Sequence, residues 1–317
     1  MTAYDIFNGD ADGLFALHQL RLSAPRSAVL VTGVKRDIAL LQRIAPQPGD
    51  QLTVLDIGLN ENIEALRAAL AAGASCSWFD HHSCGEVPRH PLLDAHIHHG
   101  PCTCTSLIVD GHIGGTHRAW AVSAAFGDNL PRAATAAARP LELSGEQLES
   151  LAELGRLVNY NAYGASVDEL HIHPEALYAR LKHHLDPFEF IAAEDCLRQL
   201  RDGYRDDLAR ARAVPALSQD ARHMAVVLPD APWARRVSGT FANELARETP
   251  ARAHAILDRR GDALTVSIRA PQARPQDADA LARRFPTGGG RAGAAGINRL
   301  DEARLGEFLD AFRSAFD

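Results

Sequence analysis

The first eighty residues alternate between two hydrophobic periods. Short apolar runs at 3–7 ("AYDIF"), 27–33 ("SAVLVTG"), 51–58 ("QLTVLDIG") and 75–79 ("SCSWF") read as buried strands. Between them, apolar residues recur three and four positions apart. The segment 14–23, with Leu14, Ala16, Leu17, Leu20 and Leu22, is a predicted helix, as are 36–44 and 62–73, the last stopped by Gly73. Strands alternating with helices imply a parallel sheet with right-handed crossovers. A further strand is expected at 93–97 and a helix from about 103. From 144 to about 213 the pattern is helical. Ser144 with Gln147 and Asp186 with Glu189 fit capping boxes, and Pro187 suits a first helical position. Strands return at 223–229, 253–259 and 263–269, with helices at 278–285 and 302–312. The expected fold class is α/β, with an N-terminal parallel-sheet domain at 1–143 and a helical connector at 144–215. A smaller C-terminal α/β domain completes it at 216–317.

At 317 residues and 46% apolar, the chain is long enough for two cored domains and is not of the disordered class. No apolar run approaches the roughly 20 residues that cross a bilayer, so no membrane partner is expected. The start, "MTAYDIFNGD", lacks the basic end and apolar stretch of a secretory signal. The five cysteines (Cys76, Cys84, Cys102, Cys104 and Cys196) form no disulfide framework, and a reducing cytoplasm is the expectation. The net charge of −7 weighs against a basic surface gripping polymeric nucleic acid and favours a small or short anionic substrate.

Chemistry enters at the strand ends, where parallel sheets bind ligands. The first strand runs into "NGDADG" with Asp10 and Asp12, the third into Asp56, and the fourth into "DHH" with Asp80, His81 and His82. Acids and imidazoles from separate strands are thus expected along one sheet edge. Crowded there without a counter-charge they would repel and neutralise, and a pair of divalent cations removes that cost. A mixed oxygen and nitrogen set suits Mn²⁺ or Mg²⁺ better than thiolate-seeking metals.

In these motifs the sequence resembles the DHH phosphoesterases, named for the Asp-His-His triplet. "NGDADG", Asp56 in "VLDIG" and "DHH" match three motifs, and "WAVSAAFGDNLP" (120–131) supplies the fourth as Asp128. "TGGGRAGAAGIN" (287–298) resembles the glycine motif of the C-terminal domain that accompanies this family. The resemblance covers nearly the whole chain. It implies that Asp10, Asp12, Asp56, His81 and Asp128 ligate two Mn²⁺ ions, with Mg²⁺ as the alternative metal and Asp56 as the bridge. It further implies that His82 faces the substrate phosphate, that Asp80 orients the histidines, and that Asp56, His81, His82 and Asp80 carry catalysis. Arg269, Gly288, Gly289, Gly290 and Arg291 would bind the nucleotide end of the substrate across an interdomain cleft. The implied activity is a two-metal phosphoesterase acting on short oligonucleotides or small nucleotides, with room for a homodimer. The alternatives are a RecJ-type single-strand exonuclease and, from another class, a catalytically impaired nucleotide-binding or regulatory module.

The sequence departs from the family at three places. The family carries a His four residues before the first Asp, where Ile6 stands, or a D-x-D-x-D-G motif, whose first Asp is Asn8 here. The His of its glycine loop is Arg291, which can clasp a phosphate but not shuttle protons. Competing readings are weaker. As a calcium loop, "NGDADG" would need a Glu where Gln19 stands. The spacing in "HIHHGPCTC" (96–104) is not that of a zinc site, and the glycine run lacks the Lys-Ser/Thr of a P-loop.

Overall fold

Runs rich in Val, Ile, Leu and aromatic residues bury both faces, and side-by-side pairing satisfies their backbone. The computed structural model describes residues 1–317. Its first half contains β1 (Ala3–Asn8), α1 (Ala11–Ser23), β2 (Val29–Gly33), β3 (Gln51–Leu55), α2 (Leu59–Ala71), β4 (Ser75–Asp80) and β5 (Leu93–Ile97). Helices α3 (Thr105–His112), α4 (Arg118–Gly127), α5 (Pro131–Ala138), α6 (Gly145–Asn161), α7 (Pro174–Leu181), α8 (Pro187–Ala193) and α9 (Cys196–Ala213) follow. The chain divides into two compact units, Met1–Arg201 and Asp202–Asp317.

In the first unit the sheet is parallel throughout, in the order β2-β1-β3-β4-β5. That order has a switch point between β1 and β3, where doubly wound sheets place their ligands. The core under the sheet is built from Ile6, Leu52, Val54, Leu66, Leu70 and Trp78. Helix α1 is buried from Ala11 to Leu20, which is why its sequence shows little polar face. The capping box at Ser144 and Gln147 forms in both directions. Asp186 caps Phe188 through its side chain.

The second unit contains β6 (Ser218–Gln219), β7 (His223–Leu228), α10 (Pro232–Glu248), β8 (Ala253–Arg260) and β9 (Ala263–Arg269). It continues with α11 (Ala278–Ala282), β10 (Gly288–Arg291), β11 (Ala294–Asp301) and α12 (Leu305–Phe316). The sheet order is β10-β11-β9-β8-β7-β6, with only β7 and β8 parallel. Phe308, Phe312 and Phe316 recur every fourth residue and seal one face of α12 into the core with Val266, Ile268 and Ile297.

Both α/β sheets agree with the expected fold class. Helix α10 was not expected, the helices expected at 278–285 and 302–312 have other bounds, and two further segments differ in kind. The predicted helix at 36–44 is a single 3₁₀ turn, Leu40–Arg43, because Asn62 of α2 ties down the backbone of Ile38 and Leu41. The glycine segment is not a free loop: Gly288–Arg291 pairs antiparallel with Ala294–Ile297 as a hairpin. Gly288 sits against the Ala282 carbonyl, where a Cβ would lie 1.8 Å from its oxygen, and Gly290 has φ 146°, so both need glycine. No helix is long and apolar enough to cross a membrane.

Candidate metal centre

Four strands deliver side chains to one edge of the first sheet. β1 ends at Asn8 and hands over to Asp10 and Asp12, β2 to Lys35, β3 to Asp56, and β4 to His81 and His82. Asp128 joins them from the C-terminal end of α4. Of the expected ligands, Asp12, Asp56, His81 and Asp128 meet around one atom. The His81 Nε2 lies 3.5 Å from Asp56 Oδ1 and 3.8 Å from an oxygen of both Asp12 and Asp128. Two sets of ligand atoms lie within 4.8 Å of one another: Asp12, His81 and Asp128, and Asp56, His81 and His82.

The backbone explains how these acids are held. Asp10 caps α1, its Oδ1 accepting from the backbone N–H groups of Asp12 (2.9 Å) and Gly13 (3.1 Å). Asp12 reaches the start of α3, accepting from Thr105 N (2.7 Å) through Oδ2 and from Ser106 N (2.7 Å) through Oδ1. Each Asp12 oxygen keeps a lone pair. Asp56 has left-handed backbone, φ 58°, and accepts from Thr105 Oγ1 at 3.1 Å. Left-handed Asp is uncommon and costs energy that neighbours must offset. Asp80 is fully buried; its Oδ1 meets His82 Nδ1 at 2.7 Å, and its Oδ2 is buried with no partner.

Electrostatics follow from this crowding. Burial, then the neighbouring Asp10 and Asp12, push the Asp56 carboxyl well above the usual carboxylate range. Burial also raises Asp128, more than Lys35 lowers it. Burial would raise Asp10 as well, but the Lys35 ammonium and the Gly13 N–H outweigh it, and its net direction is down. The hydrogen bond to Asp80 raises His82 against the opposing effect of burial. The donor set is oxygen and imidazole nitrogen, with no thiolate: burial pushes the nearby Cys104 thiol well up. Acids that resist ionising together around one imidazole fit a hard divalent cation.

The remaining expected residues belong to the second unit. Arg269, at the end of β9, donates to Asn243 Oδ1 at 2.7 Å and to the Ile268 carbonyl at 3.0 Å. Gly289 has no heavy atom within 4 Å of where a Cβ would stand, so its lack of a side chain answers to nothing inside the fold. Arg291 is exposed on the hairpin. His96, His98, His99 and His112 line a separate pocket outside the acid cluster.

Lys35 is the residue of this cluster that the motifs did not mark. Its Nζ pairs with Asp10 Oδ2, donates to Asn159 Oδ1 at 3.1 Å, and lies 3.5 Å from Asp128 Oδ1. A signal was present: only two of the 33 basic residues are lysine, and one stands just past the end of β2.

No protein-family model matches the sequence, and no curated protein does. Solved structures do. RecJ from Thermus thermophilus, in complex with Mn²⁺, superposes with a TM-score of 0.67 at 18% identity, over 99% of this chain and 51% of that one. The DHH domain of a protein assigned to a family of ribosomal proteins gives 0.62 at 15% identity, over 99% of this chain and 86% of that one. The chain has the DHH phosphoesterase fold. The pGpG-specific phosphodiesterase PggH of Vibrio cholerae shares it at a TM-score of 0.53 and 13% identity, over 99% of both chains. The chain spans about half the length of the Thermus RecJ. In this DHH fold the triplet 80–82 divides its roles: Asp80 is sealed beneath the sheet edge, His81 faces the acids, and His82 is half exposed.

Proposed function

We propose that the chain is a divalent-metal-dependent phosphoesterase that hydrolyses phosphodiester or phosphomonoester bonds of short oligonucleotides or small nucleotides. The observation that carries this reading is the meeting of Asp12, Asp56 and Asp128 around His81 at the switch point of a DHH fold. The RecJ neighbour crystallised with Mn²⁺ and the pGpG specificity of PggH support the metal and the nucleotide class. Asp12, Asp56, His81 and Asp128 would hold the cation, which when bound supplies Lewis-acid chemistry at phosphorus and activation of water.

The chain's own residues do the rest. Asp80 fixes the Nδ1 side of His82, which turns the Nε2 side of a half-exposed ring outward. Because Asp80 raises His82, the ring holds a proton further into the neutral range and can donate it to a phosphoryl or leaving oxygen. In the second unit, Arg269 and the Gly288–Arg291 strand are the proposed nucleotide-holding elements. Gly289 leaves backbone open to close approach, and Arg291 offers a two-pronged donor. A cytoplasmic setting and a homodimer belong to the same proposal.

The test is a Mn²⁺ assay on a labelled dinucleotide, a single-stranded 24-mer, 3′-phosphoadenosine 5′-phosphate and a cyclic dinucleotide, with products resolved by chromatography. Turnover of one of the short substrates is expected, with at least about 100-fold loss in His81→Ala while circular dichroism stays native. Equal rates in His81→Ala would refute the reading. Preference for the 24-mer would select a single-strand exonuclease. A nucleotide-binding module without turnover is the second reading, favoured by the ammonium lodged among the carboxylates. Nucleotide binding with no Mn²⁺-dependent hydrolysis would select it.

A further inference from the structure

The resemblance to the family implies two cations, yet the residues around Asp10 leave room for a different arrangement. Asp10 is saturated on one side, where Oδ1 accepts two backbone N–H groups, and its Oδ2 holds the Lys35 ammonium. The same ammonium faces Asp128 Oδ1 at 3.5 Å, while Asp128 Oδ2 faces His81. Both candidate sets of ligand atoms depend on His81. Its Nε2 is the nitrogen that faces the acids, and one ring nitrogen binds one ion. The oxygens that Asp10 and Asp128 would offer a second ion are the ones that already face the Lys35 ammonium.

Several contacts hold the lysine in this position. The backbone of Lys35 is pinned at both ends: its N–H donates to the Ala162 carbonyl at 2.9 Å, and its C=O accepts from Asn8 Nδ2 at 3.1 Å. Asn8 Oδ1 in turn accepts from the Asp10 N–H at 3.2 Å. An ionised Asp at position 8 would have no hydrogen to give Lys35. The residue that stands where the family has an acid is therefore the one that holds the lysine in place. The ammonium lies over the Tyr163 ring, with Nζ 5.8 Å from its centroid, and Asn159 takes another of its three protons. Arginine, used for nearly every other cation in this chain, is a planar fork; the compact ammonium is the side chain that resembles a point cation.

We propose that the Lys35 ammonium replaces one of the two cations, so that the centre holds a single divalent ion among Asp12, Asp56, His81 and Asp128. One ammonium and one divalent ion balance the four carboxylates to within a single charge, whereas a second divalent ion beside Lys35 would set cations against each other. Lys35 is then a fixed positive charge beside the reacting phosphate, unaffected by chelators. The proposal rests on the metal-dependent reading above and concerns the number of ions in that site.

The test counts metal in the purified full chain. EDTA-stripped protein is titrated with Mn²⁺ by calorimetry, and the loaded protein is examined by native mass spectrometry and electron paramagnetic resonance. The wild type is expected to take up one ion with the spectrum of an isolated Mn²⁺. Lys35→Met, which keeps an unbranched stem without the charge, and the double variant Asn8→Asp with Lys35→Ala are expected to take up two, with the spectrum of a coupled pair. Two ions in the wild type would overturn the proposal, whether or not either variant folds. So would a single ion in folded forms of both variants. No uptake in any form would overturn it together with the metal-dependent reading, and is thereby distinguishable from the first result.

Discussion

Asp80 and His82 show how a buried charge shapes an exposed group. The Asp80 carboxylate is fully buried, bonded to His82 through one oxygen and to nothing through the other. Its cost in burial is offset only while His82 stays protonated or donates to it. Because His82 is raised, this pair contributes stability in full below the ordinary imidazole pKa and loses it as pH rises through the raised value. Asp80→Asn keeps a hydrogen-bond acceptor but removes the charge. The upper limb of the pH–rate profile is then expected to move to lower pH, with the metal-free protein losing less stability across that same window. A pH–rate profile and denaturant melts at several pH values measure both, and an unmoved upper limb would show that His82 does not supply the proton. At this scale much of the site was legible, because Asp12, Asp56, His81 and Asp128 stand in recognisable motifs. Lys35 was marked only by the rarity of lysine and its place after β2: its partners Asp10, Asn159 and Asp128 lie 25 residues or more away, so the sequence does not show what it will meet.

At the scale of elements, the position of Asp128 depends on a crossing of two helices. Gly127 at the end of α4 and Gly155 in α6 bring their backbones together: a Cβ on Gly155 would lie 1.9 Å from the Ser123 carbonyl oxygen. A Cβ on Gly127 would lie 2.6 Å from that of Ala11 in α1, so the three helices share one tight junction next to Asp128. Gly155→Ala is expected to destabilise the protein by about 1–3 kcal/mol through overpacking and to weaken Mn²⁺ binding by displacing Asp128. Thermal melts with and without Mn²⁺ test this; an unchanged melting temperature would mean that the junction yields freely. Glycines inside helical patterns read locally as weak helix formers, so this junction was invisible in the sequence. The strands were easier to read. β5 and β9 have the expected bounds, and for β9 the reason is a buried run with Val266 and Ile268 between turn residues, which has few other uses. The hairpin of β10 and β11 was hidden by its glycines, which have little strand propensity; β10 pairs only with β11, which is itself held by β9.

For the whole molecule, the order β2-β1-β3-β4-β5 decides where the chemistry collects. It places β1 and β3 side by side, so that Asp10 and Asp12 after one meet Asp56 after the other, with the DHH triplet one strand further on. The alternation of periods predicted a parallel sheet but not this order, which is set by tertiary packing. The negative overall charge also makes physical sense here. Acids concentrated at one sheet edge need cations, and the chain supplies one of its own in Lys35. The most direct test of the account strips the protein with chelator and follows hydrolysis of a labelled dinucleotide as Mn²⁺ is returned, in wild type and in Asp56→Ala. The account predicts that stripped wild type is inactive and recovers with added Mn²⁺, while folded Asp56→Ala does not recover. Hydrolysis that persists without metal, or that returns equally in Asp56→Ala, would contradict it.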